Sequence, residues 1–277
     1  MSLFSRTLAL CRNRFSIRLW LPLPMIFLLA SATSAGDLAD IQKRGSLRVL
    51  VAADEDPDWF AFDGAANPGF EREILEGFAR LQRVRLEAVP VKQFEDLIPM
   101  LIRGEGDVGA GLHVTEERRK AIDFSEEVMP DRLVVVSRRP KPKVEELGDL
   151  RTAKVGVIPG TVWAEATRAA GVREGRIVEL ADSNAVLAAL RSGAIGATVM
   201  SVSDLILSAR KDPALQAGLL LGEAGSSAWG FRKQDTGLRT ALNEYLNAVR
   251  HGSAWSRLVV KYFGEDALAV LGRAQSK

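Results

Sequence analysis

From Leu47 to about Arg210 the apolar positions switch repeatedly between a period near two and a period near 3.6, which predicts alternating strands and helices. Leu47–Val51 reads as a short strand, and Phe70, Ile74, Leu75, Phe78 and Leu81 then form one helical stripe. Glu71 and Glu73 fall in its first turn, where the helix dipole favours acids. Residues 84–91 alternate as a half-buried strand should. Phe94, Leu97, Ile98, Leu101 and Ile102 make a second stripe, with Pro99 inside it and Gly104 after it. Proline lacks the amide hydrogen a helix interior uses, so this helix must start within a turn of Pro99. Asp107–Gly111 reads as the next strand.

The second half repeats the rhythm. Lys154–Ile158 predicts a strand, Pro159-Gly160-Thr161 a turn, and residues 162–170 a helix closed by Gly171. Ile177–Leu180 and Ile195–Met200 predict strands. A helix capped by Asp182 or Ser183 reaches Arg191, and another runs to about Arg210 before Lys211-Asp212-Pro213 stops it. Such alternation predicts parallel-type α/β sheets. The basic, proline-containing stretch Arg138–Lys143 predicts an exposed connector between two α/β units.

The chain's beginning follows a different logic. Arg6, Arg12, Arg14 and Arg18 precede an apolar run from Leu19 to Ala30, followed by the small residues Ser31–Ala35. That order predicts a secretory signal peptide over residues 1–35, cleaved after Ala32 or Ala35; an uncleaved anchor is the alternative. The run is broken by Pro22 and Pro24 and is shorter than the ~20 residues of a membrane-spanning helix. The single cysteine, Cys11, lies inside the leader, so a processed chain has no disulfide, thiolate nucleophile or cysteine-held metal. The whole chain has 37 basic and 35 acidic residues, and the leader's arginines account for the basic excess. No basic face marks a nucleic-acid binder.

Several apparent motifs fail on context. Gly104-Glu105-Gly106-Asp107-Val108-Gly109 follows a helix and precedes a strand, the reverse of a dinucleotide fingerprint. Asp54, Asp56 and Asp58 are spaced like a calcium loop, but Trp59 and Ala65 stand where its glycine and glutamate belong. No zinc-protease, nucleophile-elbow or P-loop pattern occurs. The expectation is therefore no metal, no cofactor and no catalysis.

Short segments along the chain, taken in order, carry a resemblance. They include Ile41-Gln42-Lys43-Arg44-Gly45-Ser46-Leu47-Arg48-Val49, Gly69-Phe70-Glu71, Asp96-Leu97-Ile98-Pro99, Val114-Thr115-Glu116-Glu117-Arg118, Asp123-Phe124-Ser125, Gly230-Phe231-Arg232-Lys233 and Lys261-Tyr262-Phe263-Gly264. Together they resemble the bacterial extracellular solute-binding proteins of family 3, periplasmic receptors of polar amino-acid uptake. The resemblance implies a two-lobed periplasmic-binding-protein-like fold of type II, with a ligand cleft between the lobes. Residues 37–131 with 229–277 would form the first lobe and 132–228 the second.

The resemblance also implies a site. Arg118, with Thr115 before it, matches the carboxylate-binding arginine, whose guanidinium can hold a carboxylate through two parallel bonds. Gly160 and Thr161 would offer backbone N–H groups to the same anion. Gly111 and His113 match cleft-lining positions, and a histidine there could make affinity pH-dependent. Trp59 and Phe60 would supply an aromatic wall. Ser201 stands where the family places the aspartate that grips an ammonium, and a hydroxyl cannot balance that charge. Asp204, one turn later, is a substitute of uncertain reach, which favours a carboxylate ligand without an amine.

The leading expectation is a monomeric periplasmic receptor that passes a small carboxylate-bearing solute to the membrane permease of an ABC importer. The run Ser201–Leu205 with Pro213–Leu215 is also similar to the solute-binding domain of membrane-bound lytic murein transglycosylase F. That similarity implies a stand-alone regulatory module as a second expectation. A cleft enzyme like the cyclohexadienyl dehydratases is a third.

Overall fold

In this computed structural model, which describes residues 37–62 and 67–275, the first lobe opens with α1 (Leu38–Arg44). The Asp37 side chain caps it, and Gly45 closes it in a left-handed conformation, φ 78°. The leader and its cleavage positions lie outside the described residues. β1 (Ser46–Ala52), α2 (Pro57–Phe60), α3 (Phe70–Leu81), β2 (Arg85–Val91), α4 (Leu97–Ile102), β3 (Val108–His113), α5 (Glu116–Ala121) and β4 (Asp123–Phe124) follow. A 3₁₀ turn over Phe94–Asp96 leads into α4, so Pro99 sits in the helix's first turn, where its missing donor costs nothing.

β5 (Met129–Arg138) then carries the chain into the second lobe. That lobe contains α6 (Leu147–Thr152), β6 (Val155–Val157), α7 (Val162–Ala169), β7 (Ile177–Glu179), α8 (Ser183–Ser192), β8 (Ala197–Ser201) and α9 (Val202–Lys211). β9 (Leu215–Phe231) returns to the first lobe, where α10 (Thr236–His251), α11 (Ser253–Phe263) and α12 (Ala267–Gln275) complete the chain's described part. No helix among the described residues is long and apolar enough to cross a membrane.

One hydrogen-bonded path joins the strands in the order β2-β1-β3-β9-β5-β8-β6-β7, with β4 beside β9. The outer pairs β1–β2, β1–β3, β6–β7 and β6–β8 are parallel, as the alternating pattern requires. The central pairs are antiparallel. β9 spans both lobes: Leu215–Ser227 pairs with β5, and Ser227–Gly230 with β3. Both crossovers between lobes are therefore strands. The basic stretch after Arg138 is exposed as expected, but it links β5 to α6 within the second lobe and is no connector between units.

The first lobe's main core gathers Leu47, Val49, Phe70, Phe78, Trp229, Leu242 and Tyr262, and a second cluster under α4 holds Leu50, Leu97, Leu101 and Leu112. The second lobe packs Val155, Val157, Val199 and Leu150 on one side of its strands and Val134, Val136, Val186 and Met200 on the other. α12 touches both lobes, with Ala267 and Leu271 in the first core and Val270 against the second.

Candidate functional site

A cavity of about 510 Å³ lies between the lobes. The first lobe contributes the loop from β1 into α2, one end of β3 and the side chain of Arg118. The second contributes the starts of α7, α8 and α9. Strand ends and helix starts converge here because parallel-type α/β units direct their connecting loops to one edge of the sheet.

Several contacts cross the cleft and hold it closed. Trp59 Nε1–H donates to Asp204 Oδ1 at 2.8 Å, and Arg118 Nη2–H donates to the Gly160 carbonyl at 3.1 Å. Asp54 Oδ2 accepts the Ser183 amide at 2.9 Å, at the start of α8. Lys211 Nζ meets Asp56 Oδ2 at 2.6 Å.

Arg118 is only 8% exposed. Thr115 aims it: its Oγ1 accepts the Arg118 amide at 3.1 Å and starts α5. The guanidinium donates to the carbonyls of His113 (2.9 Å) and Gly160 and lies over the Phe94 ring, 5.5 Å from its centroid. Two of its five N–H bonds are used in this way. Among the described residues no carboxylate forms an ion pair with it, and burial lowers its pKa.

The floor of the cavity is acidic. Glu55, Glu71, Asp131 and Asp204 line it, and none forms an ion pair among the described residues. Their polar contacts are neutral. Glu71 Oε2 accepts the Gly111 amide (3.1 Å) and Trp229 Nε1–H (3.3 Å). Asp131 caps α9 through the Val202 amide (3.0 Å) and the Ser203 hydroxyl (2.8 Å). Ser203 Oγ lies 3.0 Å from Ser201 Oγ, and Ser201 in turn donates to Asp204. A polar chain thus runs from Asp131 on the crossover strand through two serines to Asp204, and on to Trp59 in the other lobe.

Burial dominates the electrostatics, because removing a carboxylate from water disfavours its charged form. It pushes Glu71 up to about 7. Asp131 and Asp204 both rise to about 6, with Asp131 adding to the rise at Asp204. Glu55 rises well above the usual range, driven by burial and then by Asp204 and Glu71. Burial lowers His113 to about 4, with Arg118 contributing and Asp204 opposing, so this imidazole is neutral near neutral pH.

Of the residues singled out from sequence, Arg118, Gly111, His113, Thr161, Trp59 and Ser201 line the cavity, while Thr115, Gly160 and Phe60 do not. Phe60 is 1% exposed in the first core, and Phe94 stands in the wall where Phe60 was expected. The Gly160–Thr161 turn shows Arg118 a carbonyl. The Thr161 amide (3.4 Å) and hydroxyl (2.7 Å) both donate to Ile158 O, and that hydroxyl also caps α7. His113 lines the cleft, and burial lowers its pKa. Asp204 does reach the cleft, one turn after Ser201, which removes the objection to an amine-bearing ligand. Glu55, Glu71, Asp131 and Phe94 were not found from sequence. Glu71 looked like an ordinary first-turn acid, and Asp131 like any residue leading into a strand.

Two α/β lobes and strand crossovers, with a charged cavity between the lobes, define the periplasmic-binding-protein-like fold of type II. The chain belongs to the bacterial extracellular solute-binding proteins, family 3, which it matches over residues 47–265. It is similar to membrane-bound lytic murein transglycosylase F of Pseudomonas fluorescens (strain Pf0-1), 26% identical over 91% of this chain and 54% of the relative. The corresponding protein of Aeromonas salmonicida (strain A449) is 28% identical over 100% of this chain and 58% of its own length. The chain thus spans about half the length of these curated relatives. Among solved structures, a variant of ArgBP from T. maritima superposes with a TM-score of 0.73 at 27% identity, covering 82% of this chain and 99% of that one. An arginine-bound form of truncated ArgBP gives 0.68 at 27% identity, covering 76% and 99%. AncCDT-1, an ancestral amino-acid-binding protein described as a precursor of cyclohexadienyl dehydratase, gives 0.72 at 24% identity, covering 82% and 99%, which bears on the fold alone.

Proposed function

We propose that this protein is a periplasmic receptor that closes on a small amino-acid-type solute and presents it to the permease of an ABC importer. The lobes are taken as residues 37–131 with 229–277, and 132–228. The observation that carries the reading is the pairing, in one closed cavity, of a buried guanidinium and buried carboxylates, each without a counter-ion among the described residues. A zwitterion satisfies both. Its carboxylate takes the free N–H groups of Arg118, and its ammonium takes Asp204, held by Ser201 and Trp59. Ligand contacts to both lobes stabilise the closed state over the open one, which is what drives closure. The arginine-bound neighbour supports an amino-acid-type ligand. Because the cavity lining carries six acidic residues against the bases Arg118, Arg191 and Lys211, a solute of net positive charge fits best.

Titration calorimetry with L-arginine tests this reading. Binding near micromolar, about −8 kcal/mol, is expected, and Arg118→Ala weakens it by at least about 100-fold while leaving the circular dichroism spectrum unchanged. Unchanged affinity in that variant removes Arg118 from the site.

The transglycosylase relatives favour a second reading, a solute-sensing module that reports to a cell-wall enzyme. Co-purification with a permease supports transport, whereas capture by a cell-wall enzyme supports sensing. Turnover of prephenate or arogenate by the purified protein would make the cleft an active site instead.

A further inference from the structure

We infer that Asp131 and Asp204 share one proton through the hydroxyls of Ser203 and Ser201, and that a guest's ammonium at Asp204 draws that proton to the Asp131 end. Asp131 is thereby a positioning residue that keeps Asp204 ionised for the guest. This rests on the amino-acid reading above and extends it to the proton held at the ammonium site.

Three oxygen–oxygen contacts join the four side chains. Ser203 Oγ lies 2.8 Å from Asp131 Oδ2 and 3.0 Å from Ser201 Oγ, and Ser201 Oγ contacts Asp204 Oδ2. Two hydroxyls supply only two hydrogens for these three contacts. With both carboxylates ionised, each serine donates to its own carboxylate, and the two hydroxyl oxygens face each other at 3.0 Å through lone pairs alone. One added proton completes the row. On Asp204, it lets Asp204 donate to Ser201, Ser201 to Ser203, and Ser203 to Asp131; on Asp131, every bond points the other way. The other polar partners suit either direction. Asp131 Oδ1 accepts the Val202 and Ser203 amides at 3.0 and 3.4 Å, Ser201 Oγ accepts the Asp204 amide at 3.1 Å, and Asp204 Oδ1 accepts Trp59 Nε1–H.

Both serines are 1% exposed and Asp131 3%, so the row is shielded from bulk solvent. Two ionised carboxylates at its ends repel each other, and one shared proton removes that repulsion. The titratable groups that act on Asp204 or feel its charge are Asp131, Glu55, Glu71 and His113, and His113 is neutral near neutral pH. The nearby bases face other partners: Lys211 meets Asp56, Arg191 meets Asp212, Arg118 meets two carbonyls, and Arg132 donates to the Gly222 carbonyl at 3.1 Å. When an ammonium reaches Asp204, its proton passes to Ser201 Oγ as Ser201 passes its own to Ser203, and Ser203 its own to Asp131 Oδ2. The row keeps a single negative charge throughout, now at the guest's end. This proton stays in the cleft, and those a guest releases come from the other cleft carboxylates, Glu55 foremost.

Carbon-13 NMR of the aspartate carboxyls in the full chain tests the shared proton without any ligand. Asp131 and Asp204 are expected to titrate together in two common steps, as coupled groups do. In Asp204→Asn, Asp131 should titrate in one step at lower pH, because the amide fixes the row towards it. L-Arginine added at pH 6.5 should move the Asp131 signal towards its protonated position and the Asp204 signal towards its ionised one. Independent single-step titrations in the empty protein overturn the inference, as does an Asp131 signal that becomes more ionised with arginine. Two common steps with no response to arginine leave the shared proton standing and overturn the transfer together with the amino-acid reading. Calorimetry of Asp131→Asn gives a second readout. The amide nitrogen donates permanently to Ser203 and removes the charge that raises Asp204. The rise in L-arginine affinity from pH 5.5 to 7.5 should therefore flatten from about tenfold to about threefold. Capping of α9 alone would lower affinity equally at both pH values, and an unchanged slope in this variant overturns the positioning role.

Discussion

Two buried acidic regions of this molecule are handled in opposite ways. Under the first lobe's sheet, Asp107 is fully buried and held by Arg44 at 2.5 Å and Arg48 at 2.9 Å, with the Arg48 amide adding a third bond at 2.8 Å. In the cleft, Glu71 and Asp131 are buried and Glu55 and Asp204 half-buried, all four with neutral partners only among the described residues, and a guanidinium stands apart with carbonyls. Burying a charge is costly unless it is paired. The sequence meets that requirement from within where the charge has a structural role. It leaves the requirement open in the cleft, where, on the proposed reading, a guest supplies the missing charges.

The sharpest way to break this contrast is to remove one member of each region. Arg118→Ala should weaken L-arginine binding by at least about 100-fold, since a buried charged partner is worth about 2–5 kcal/mol or more; calorimetry reads it. Asp107→Asn should do the reverse, lowering unfolding free energy by about 3 kcal/mol in urea titrations with affinity unchanged, because two arginines lose their partner. Asp204→Asn should weaken binding by roughly tenfold, a charge-assisted bond being worth about 1.5 kcal/mol or more. Trp59→Phe keeps the ring packing on Phe70 and Phe263 but removes the N–H that crosses to Asp204. About a fivefold loss is expected, close to one ordinary hydrogen bond.

The smallest effect concerns pH. Carboxylates whose pKa is raised in the folded protein bind protons more tightly than in the unfolded chain, so stability falls as pH climbs from the ordinary carboxylate range through about 6 to 7. His113, lowered to about 4, acts in the opposite sense between about 4 and 6.5, but it is one group against four. The empty protein should therefore melt a few degrees higher at pH 5.5 than at pH 7.5, read by scanning calorimetry. The ligand-saturated protein should show less of this dependence.

Much of the fold was legible because the outer strands and helices carry clean periods. The stripe from Phe70 to Leu81 became α3, and the alternation at 84–91 became β2. The central strands were not legible. β9 changes lobes along its length, and its burial changes with it, so Leu215–Phe231 shows no single period, and Gly218, Gly222, Gly225 and Gly230 interrupt it further. The site divided in the same manner. Arg118 and Trp59 could be placed from short segments near their own strands and helices. Glu71 and Asp131 act through partners 158 and 72 residues away, at Trp229 and Ser203, which no local pattern reports. Asp204 was within view, but only the fold shows that one helical turn after Ser201 still faces the cavity.

The claim beneath these expectations is that the guest's positive charge replaces protons held by the empty cleft. Titrating L-arginine at pH 6.5 in two buffers of different ionisation enthalpy measures protons exchanged on binding. Net release, with affinity rising from pH 5.5 to 7.5, is the predicted result; no exchange, or net uptake, would contradict it.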